Sequence, residues 1–470
     1  MAADTPAIVW FRQDLRLADN PALTAAAASK RPLIFIYVLD DEAPGRWKIG
    51  GASRWWLHKS LDSLTKAVRR LGGALLLRRG AAHEVIAALA RETGAGAIYW
   101  NRCYEPFAIA RDTRLKQTLQ GAGVQVESFN GALMFEPWEV KTKTGEAYKV
   151  FTPFWRACRQ LPWRAPQAAP KKPRFYDGAL AGEVLEDWRL LPTAPNWAAG
   201  FESEWTPGEA GAAAALDRFL ERRLSIYADS RDLLHVDATS RLSPHLHWGE
   251  ISPRQVRASL EAATTLEPGL QQNVDKFLSE LGWREFSANL LFHWPSLPEC
   301  NWRDRFEAFP WRDDEEGYQA WCKGRTGYPL VDAAMRELWT TGTMHNRARM
   351  VAASFLIKHL MIDWRRGEDW FWDTLLDADL ANNAASWQWV AGSGADAAPY
   401  FRIFNPVAQG ERYDPDGAYI RRWVPELAGL SGPAIHRPWE AGAGAGRNYP
   451  ERIVDHEMAR ARALAAFQGL

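Results

Sequence analysis

The sequence predicts a doubly wound parallel α/β domain followed by a large all-α domain. Apolar runs alternate with helical stretches up to about residue 130, whereas strand-like runs largely disappear beyond about residue 207. Alternation of strands and helices is typical of a parallel sheet with helices on both faces. A chain of 470 residues with 47% hydrophobic side chains also has the length for two or three domains with sizeable cores.

Five short apolar runs are expected to form the strands, at residues 7–11, 32–39, 74–79, 97–101 and 124–129. Helices are expected between them, for example over 53–71 and 82–93. The turn after the first run reads WFRQDLRLADNPAL and lacks the GxGxxG pattern that brings a glycine backbone close to a pyrophosphate. The α/β domain, placed at residues 1–130, is therefore not predicted to bind a dinucleotide at that turn.

The rest of the chain is expected to form a linker and then the helical domain. Residues 131–206 are rich in Pro, Trp and Lys/Arg without a clear period, which favours a long interdomain linker packed on the surface. Residues 207–470 are assigned to the helical domain, with helices predicted over 213–226, 252–264, 274–292, 330–341, 345–360 and 370–377.

Charge, cysteines and hydropathy exclude several classes of protein. The 57 basic and 57 acidic residues give zero formal charge, so any nucleic-acid binding would depend on a local basic patch. Cys103, Cys158, Cys300 and Cys322 have neither metal-ligand nor redox-pair spacing, so we expect reduced thiols and no metal site. We find no signal peptide and no apolar run long enough to span a membrane, and we therefore expect a cytoplasmic protein without a membrane partner.

The segment 375–406, LLDADLANNAASWQWVAGSGADAAPYFRIFNP, is the most informative one in the chain. If its first half is helical, Asp379, Asn383 and Trp387 recur at i, i+4 and i+8 and share one face. A packed core would not place a carboxylate, an amide and an indole in a row, because buried polar groups need partners. A site that binds a flat redox cofactor with polar edges would use these three side chains.

A second cluster consists of Tyr227 and the hydroxyl residues of TSRLSP, among them Thr239, Ser240 and Ser243. Small hydroxyl residues ahead of a proline and a helix offer N–H and O–H donors that suit a pyrophosphate. Taken alone, however, the pattern is more often a helix N-cap and turn.

A third cluster lies in FLSELGWREF, where Glu280, Trp283 and Arg284 are spaced at i, i+3 and i+4 and share one helical face. Together a carboxylate, an indole and a guanidinium could hold a nucleobase by its edge and its face. An amphipathic helix with an internal ion pair explains the same spacing equally well.

The fourth cluster is HNRARM, in which Asn346, Arg349 and Met350 fall on one helical face. An arginine-rich surface helix is the simplest interpretation, yet Asn and Met beside an arginine suit the wall of a pocket better. Either Asp377 or Asp379 could pair with Arg349 and connect this cluster with the segment 375–406.

With these clusters the chain resembles the photolyase and cryptochrome family of flavoproteins. The resemblance runs over nearly the whole chain, from WFRQDLRLADNPAL through TSRLSP, WREF, TGYPLVDAAMREL, MHNRARM and DLANNAASWQW to FRIFNPVAQGERYDPDGAYIRRWVPEL. It is strongest with bacterial photolyases of class I or class III, which act on cyclobutane pyrimidine dimers. The resemblance implies an α/β antenna domain, a linker, and a helical domain that holds FAD in a folded conformation.

The resemblance also implies which residues bind FAD. By their positions in the family's motifs these are Tyr227, Thr239, Ser240, Arg241, Leu242, Ser243, Arg284, Asn346, Arg349, Asp377, Asp379 and Asn383. Arg349 and Asp377 would form a salt bridge beside the flavin ring. Asn383 would face flavin nitrogen 5, where plant cryptochromes carry an aspartate that can supply a proton.

Further residues are implied to bind the substrate or to carry electrons. The expected contacts to the lesion and to DNA are Arg231, Glu280, Trp283, Asn346, Arg347, Met350, Trp389 and Arg402. Trp387, Trp364 and Trp311 match the family's electron-transfer chain from flavin to surface. With Glu280, Asn346 and Asn383, these indoles form the expected catalytic set.

The implied activity is light-driven electron transfer from reduced FAD to a dimer flipped out of damaged DNA, performed by a monomer. Repair of (6-4) photoproducts is disfavoured, because those enzymes carry histidines where this chain has Asn346 and Met350. A signalling cryptochrome is disfavoured by Asn383, and the single-strand-preferring DASH type by the pocket residues. Class I and class III remain open: SRWW and VAGSGAD favour class III, whereas NYPERIVDHEMARARALAAF favours class I.

The antenna chromophore is also left open between methenyltetrahydrofolate and 8-hydroxy-5-deazaflavin. Glu105 occupies the position of an antenna-contacting acid in the deazaflavin type, although an acid after a strand is more often a turn residue. Ala108 replaces a glutamate that folate-binding class I enzymes use. Both residues are compatible with the different folate site of class III, and also with a domain that holds no antenna.

Overall fold

A computed structural model of the chain describes residues 5–397, 401–441 and 448–470. Its first part contains five strands, β1 Ala7–Phe11, β2 Leu33–Leu39, β3 Leu75–Arg79, β4 Ala97–Asn101 and β5 Gln125–Phe129. They form one parallel sheet in the order β3-β2-β1-β4-β5, in which Val9 pairs with Phe35 on one side and with Tyr99 on the other. The predicted doubly wound α/β fold is confirmed, and the strands agree with their predicted bounds to within one residue.

The two faces of the sheet belong to two different cores. In β1, Ala7, Val9 and Phe11 lie in one core, and Ile8 and Trp10 lie in the other. This follows from the alternation of side chains along a strand, and it explains why a central strand of a parallel sheet is apolar throughout. The first of these cores also contains residues of the helical part, such as Trp248 and Leu376, so the sheet packs directly against it.

Nineteen α-helices are found in the part of the chain that the structure describes. Those up to residue 230 are α1 Pro21–Ala28, α2 Gly51–Arg70, α3 Ala82–Thr93, α4 Pro106–Gly121, α5 Phe151–Cys158, α6 Phe201–Glu204, α7 Glu209–Arg222 and α8 Tyr227–Ser230. The others are α9 Ser243–His247, α10 Pro253–Leu266, α11 Gln271–His293, α12 Glu315–Cys322, α13 Pro329–Thr341, α14 Asn346–Ser354, α15 Trp364–Thr374, α16 Leu380–Ala391, α17 Pro406–Tyr413, α18 Ala418–Trp423 and α19 His456–Gln468. The predicted all-α second part is confirmed.

Two helix predictions near the site were wrong in their bounds, in addition to the one over 213–226, which forms α7 four residues earlier. The helix predicted over 370–377 starts at Trp364, where the Asp363 side chain accepts a hydrogen bond from the backbone N–H of Arg365, and it ends at Thr374. The helix predicted over 345–360 is α-helical only to Ser354 and continues as one π-helical turn. As a result, Asp377 lies outside a helix, and Asn346 is the first residue of α14.

The segment expected to be a surface linker is partly buried. Helix α5 packs on α11 so closely that a Cβ atom on Gly282 would lie 2.6 Å from the Trp155 ring. Phe154 and Trp155 are buried in the same core as α11. The division into domains at residues 130 and 206 remains a prediction, but α5 belongs structurally with the helices of the second part.

Buried polar groups join the α/β part to the helical part. The Arg16 guanidinium is fully buried and donates to the carbonyl oxygens of Gly249 at 2.8 Å and Gly131 at 2.7 Å. Arg254 of α10 forms an ion pair with Asp19 at 2.9 Å. Such contacts fix the two parts relative to each other, since a buried charge is tolerated only where it is paired. None of the helices within the described ranges combines the length and apolar character needed to cross a membrane.

Candidate active site

The helical part surrounds a cavity of about 620 Å³, well within the range of small-molecule and cofactor sites. One side, called here the α11 wall, carries Lys276, Glu280, Trp283 and Arg284 of α11 together with Arg231. A second side, called the α16 wall, carries Arg349, Asp377, Asp379, Asn383 and Trp387. Side chains from several helices therefore converge on one cavity.

Asp377 is the anchor of the α16 wall. Arg349 Nη2 donates to both of its carboxylate oxygens, at 3.0 and 2.9 Å, and Ser243 Oγ donates to Oδ2 at 2.6 Å. Arg349 Nε donates in addition to the carbonyl of Met344 at 2.8 Å. The Asp377 side chain is only 4% exposed, so its charge depends on these partners. Of the two acids considered as partners of Arg349, the structure selects Asp377.

Asp379 caps the N-terminus of α16 and accepts the backbone N–H of Asn382 at 2.8 Å. Burial raises the pKa of this carboxyl, but its interactions with His247 and Arg284 lower the pKa more, and it ends below its usual range. His247 Nδ1 lies 3.7 Å from Asp379 Oδ2, too far for a hydrogen bond. An ionised carboxylate at a helix N-terminus is also favoured by the helix dipole.

Asn383 lies one turn into α16, as the predicted i, i+4, i+8 stripe requires. Its Nδ2 donates to the backbone carbonyl of Glu368 at 3.0 Å, which orients the amide. The Glu368 carboxyl is fully buried, and within the described ranges neither of its oxygens has a hydrogen-bond partner. Burial therefore raises the pKa of Glu368 well above its usual range, which favours the neutral acid directly behind Asn383.

Trp387 completes the stripe at the far end of the α16 wall. It is 2% exposed, meets Phe371 edge-on at 4.9 Å between ring centroids, and has no hydrogen-bond partner for Nε1 among the described residues. Trp364 is fully buried in the same core and donates Nε1–H to Asn301 Oδ1 at 3.0 Å. Trp311 packs against that core while partly exposed, with Phe309 at 4.4 Å. One of the three indoles thus lines the cavity, one is fully buried and one is partly exposed, and their role in electron transfer remains a prediction.

The charges of the α11 wall are paired mainly with one another. Arg231 forms an ion pair with Glu280, and Lys276 Nζ lies 3.2 Å from the same carboxylate oxygen. The Glu280 side chain is 27% exposed, far more than Asp377 on the other side. Arg284 differs, because its Nη1 donates to the backbone carbonyl of Ala132 at 2.8 Å.

Trp283 presents an indole plate on the α11 wall. Its ring stacks on Phe151 of α5 with centroids 3.7 Å apart and planes 9° from parallel. One face of the indole is therefore covered by a second aromatic ring, while the side chain also lines the cavity. An aromatic plate at the edge of a cavity can stack on a flat ring such as a nucleobase.

Most residues predicted from the sequence converge on this cavity. Those that line it are Tyr227, Arg231, Ser240, Ser243, Glu280, Trp283, Arg284, Asn346, Arg347, Arg349, Met350, Asp377, Asp379, Asn383, Trp387 and Trp389. Those absent from its lining are Thr239, Arg241, Leu242, Trp311, Trp364 and Arg402.

Arg241 shows why position in a motif does not determine where a side chain lies. Its backbone has a positive φ of 57°, and its guanidinium pairs with Glu204 at 3.0 Å and lies over the Trp205 ring. The Arg241 side chain thus contacts residues at the edge of α6. Leu242 is buried in a core, and the carbonyl of Thr239 accepts a hydrogen bond from Arg223.

The sequence analysis missed several residues of the site. Lys276 and His247 have detectable signals, because Lys276 precedes Glu280 by one helical turn and His247 follows Ser243 by one turn. Asp396 and Phe151 have none, since they meet across a sequence separation of 245 residues. All of these except Phe151 line the cavity.

The donors and acceptors of the cavity suit a flavin nucleotide. The backbone N–H groups at the N-terminus of α14 offer donors for phosphate, and the carboxylate of Asp379 can accept from a polar ring edge. Buried nitrogen atoms of His247 and Trp387 have no partner within the described ranges, as expected where a further polar group binds. Among the described residues no group of three or more His, Cys, Asp or Glu side chains is arranged to hold a metal ion.

Two family models match the chain. The model described as DNA photolyase matches residues 7–173, and the model described as FAD binding domain of DNA photolyase matches residues 277–469. The second match contains most of the cavity.

Individual proteins and a solved structure are similar over nearly the full length. The deoxyribodipyrimidine photo-lyase of Agrobacterium fabrum is 51% identical over 472 residues, which cover 98% of this chain and 97% of the relative. Cryptochrome-1 of Arabidopsis thaliana is 40% identical over 97% of this chain and 69% of the relative. The crystal structure of a bacterial class III photolyase from Agrobacterium tumefaciens superposes with a TM-score of 0.96 at 50% identity, covering 99% of this chain and 98% of that one.

Proposed function

The chain belongs to the DNA photolyase and cryptochrome family, and on that basis we propose that it repairs cyclobutane pyrimidine dimers in DNA under blue light. The observation that carries this proposal is a cavity with two dissimilar sides, one suited to a flavin and the other to a base. The 51% identity to a deoxyribodipyrimidine photo-lyase across both chains supports the same activity. The similarity in fold favours class III over class I.

The residues of the α16 wall fit FAD. When bound and reduced, FAD supplies the electron that light transfers to the dimer to start cleavage of the two bonds between the pyrimidines. We assign the ribityl and phosphate contacts to Tyr227, Thr239, Ser240, Arg241, Leu242 and Ser243, with only backbone groups expected from Arg241. We assign the ring contacts to Arg284, Asn346, Arg349, Asp377, Asp379 and Asn383.

The α11 wall holds the lesion in this proposal. Trp283 stacks on a pyrimidine ring, while Trp389, Asn346 and Met350 border the same space. Extrusion of the dimer from the duplex is easier than extrusion of a normal base, because a damaged pair stacks poorly. Once released from Arg231, Glu280 in its protonated form would donate a hydrogen bond to a pyrimidine carbonyl on which negative charge develops.

Arginine side chains supply the contacts to the DNA backbone. We assign phosphate contacts to Arg231, Arg347 and Arg402, of which Arg231 and Arg347 line the cavity. The whole chain has no net charge, so attraction to DNA comes from this local group. Binding is therefore expected to weaken as the salt concentration rises.

A blue-light photoreceptor is the second candidate, and the 40% identity to a plant cryptochrome favours it. Asn383 argues for repair, because plant cryptochromes carry an aspartate at the equivalent position. Its amide is held by a backbone carbonyl and cannot supply a proton as an aspartic acid can. Repair of (6-4) photoproducts is disfavoured by Asn346 and Met350, which stand where those enzymes use histidine.

The α/β domain is proposed to hold an antenna chromophore, methenyltetrahydrofolate or 8-hydroxy-5-deazaflavin. Glu105 is 9% exposed and accepts a hydrogen bond from Gln13 at 3.1 Å, whereas Ala108 is almost fully buried. The methyl side chain of Ala108 has no carboxylate to offer a folate, which argues against the folate site of class I at this position. We further propose that the protein acts on damaged DNA as a monomer in the cytoplasm.

The decisive experiment follows the loss of dimers. Purified protein with reduced FAD is mixed with oligonucleotides that contain a thymine dimer, in duplex and single-stranded form, and illuminated with blue light. We expect light-dependent loss of the dimer, with no loss in the dark. Absence of repair in both DNA forms despite bound reduced FAD would reject the proposed function in favour of signalling. An absorbance band beyond those of FAD in the same sample would identify the antenna.

A further inference from the structure

We propose that Asp396 is a positioning residue that holds Trp283 in place for the lesion, acting through the N-terminus of α5. This inference rests on the proposed function, because Trp283 is taken there as the plate on which a pyrimidine stacks. It also gives a role to part of the segment that the sequence predicts to be a linker.

The first step is the contact between Phe151 and Trp283. The two rings are nearly parallel at 3.7 Å, and Phe151 also meets Phe286 edge-on at 6.0 Å. Phe151 is itself 8% exposed, so it is a fixed surface against which the indole rests. The orientation of the Trp283 plane therefore depends on where α5 begins.

The second step is the anchor of that helix end. Phe151 is the first residue of α5, where backbone N–H groups have no acceptor inside the helix. Val150 at the N-cap position has no side-chain acceptor to offer, and Asp396 takes this role from a distant part of the chain. Its Oδ2 accepts the Phe151 N–H at 3.1 Å, and the carboxylate is favourably placed at a helix N-terminus.

The third step is the position of Asp396 in the chain. It follows α16 in a turn that is fixed by the fully buried Gln388, whose backbone carbonyl accepts the N–H of Gly394 at 2.9 Å. The Gln388 amide donates to the carbonyls of Leu297 at 2.6 Å and Cys300 at 2.8 Å. This turn directly follows the helix that carries Trp389 on the other side of the cavity.

Asp396 thus connects the two indoles that border the proposed lesion site. Trp389 belongs to α16, the turn after α16 carries Asp396, and Asp396 fixes α5 and through it Trp283. This connection supports the Trp283 plate from the side of α5, in addition to the direct packing of α11 on α16. Because Asp396 has no hydrogen bond to Arg349, Asp377 or Ser243 among the described contacts, its loss should affect the lesion and spare the flavin.

The test uses the FAD-loaded protein and two variants, Asp396→Ala and Asp396→Asn. Affinity is measured for a duplex with one thymine dimer and for the same duplex undamaged. Asp396→Ala removes the acceptor, and we expect about tenfold weaker binding of the dimer, because the Trp283 plate is no longer held in the orientation that stacks on a pyrimidine. Asn retains an acceptor oxygen and should restore most of the affinity. Undamaged DNA should bind both variants as tightly as it binds the parent protein, apart from a small gain due to the lost charge.

A double-mutant cycle separates positioning from general damage. In a Trp283→Ala background, Asp396→Ala should cause no further loss of dimer affinity, because its effect passes through Trp283. An equal loss in both backgrounds would overturn the proposal, and so would unchanged affinity in the parent background. Asp275→Ala is the matched control: Asp275 lies on α11, is paired with Arg159 at 3.6 Å and does not line the cavity. This control should keep the full preference for the dimer.

A second variant keeps the test decisive if Asp396→Ala does not fold with FAD. Phe151→Leu removes the stacked ring but keeps the N–H that Asp396 accepts, and it should weaken dimer binding to a similar extent. Unchanged affinity in Phe151→Leu would also overturn the proposal. Failure of the proposed function is distinguishable, because the parent protein itself would then show no preference for the dimer.

Discussion

The two sides of the cavity differ in how their charges are held. On the α16 wall, Asp377 is bound by Arg349 and Ser243, and Asp379 by a backbone N–H, so the partners belong to the permanent structure. On the α11 wall, Glu280 is held by Arg231, which is itself assigned to a DNA phosphate, and by Lys276, a flexible side chain. The Asp377 side chain is 4% exposed and that of Glu280 27%.

This difference indicates that one side is preorganised and the other exchangeable. A buried carboxylate with several hydrogen bonds is costly to leave without its partners, whereas a carboxylate that also contacts water exchanges its partners at little cost. A cofactor that remains bound is best served by the first arrangement, and a substrate that enters and leaves by the second. The order of expected effects upon substitution follows directly from this contrast.

The largest effect is expected for Arg349→Ala. This change leaves the Asp377 carboxylate buried with only Ser243 as a partner, and we expect the free energy of unfolding to fall by about 3 kcal/mol. FAD content should fall as well, since the α16 wall would lose its main ion pair. Chemical denaturation and the absorbance ratio of flavin to protein measure the two effects.

Lys66→Ala is the control for Arg349→Ala. The Lys66–Asp62 pair is short at 2.6 Å, but both side chains are about half exposed, and its loss should cost less than about 1 kcal/mol. Equal destabilisation by the two substitutions would show that the Arg349–Asp377 pair contributes no more to stability than an exposed surface pair.

The α16 wall was predictable because its signals are local. Asp379, Asn383 and Trp387 follow the helical period, and the carboxylate that starts the row turned out to be the N-cap of α16. Arg349 and Asp377 carry opposite charges in neighbouring clusters and matched the family's motifs. The prediction of helix 370–377 failed because the capping residue Asp363 lies well before the apolar run on which it was based.

The support of the α11 wall was not predictable, because its signals are nonlocal. Asp396 meets the backbone of Phe151, and Glu285 meets the backbone of Met134, across long stretches of sequence. Any carboxylate can accept a backbone N–H, so neither contact leaves a pattern of paired side chains. The segment 131–206 was therefore interpreted as a surface linker although α5 supports Trp283.

The second prediction concerns the pH dependence of stability. It involves Glu285, a buried residue of α11. Glu285 Oε2 accepts the N–H groups of Met134 at 3.0 Å and Phe135 at 3.2 Å, and burial raises the pKa of this carboxyl to about 7. Between its ordinary pKa and about pH 7, the folded protein binds more protons at this position than the unfolded chain does. The free energy of unfolding should therefore fall as the pH rises through this window.

Glu285→Gln removes this dependence, because the amide stays neutral. We compare the free energy of unfolding of the variant with that of the parent protein at each pH. This comparison should favour the variant by about 2 kcal/mol more at pH 8 than at pH 5. Denaturation curves of both proteins at the two pH values measure it. Parallel stability profiles would show that Glu285 titrates normally. No comparable dependence is expected from Asp379 on the α16 wall in this window, since its pKa is lowered.

The smallest expected effect is also the most specific, and it concerns Glu280→Gln. The substitution leaves Arg231 and Lys276 without the carboxylate that holds them, so undamaged DNA should bind a few times more tightly at low salt. Binding of the dimer should not improve in proportion, because an amide N–H donates a weaker hydrogen bond to a pyrimidine carbonyl than a carboxylic acid O–H does. We expect the preference for dimer over undamaged duplex to fall about fivefold, a change of about 1 kcal/mol.

Titrations of both duplexes at two salt concentrations measure the effect of Glu280→Gln. Asp275→Asn removes one negative charge from the same helix outside the cavity, and it should raise both affinities equally. If Glu280→Gln does the same, Glu280 acts only as a counterion and the α11 wall does not recognise the lesion through it. If the preference falls while FAD content stays constant, the exchangeable side of the cavity binds the substrate independently of the side that holds the flavin.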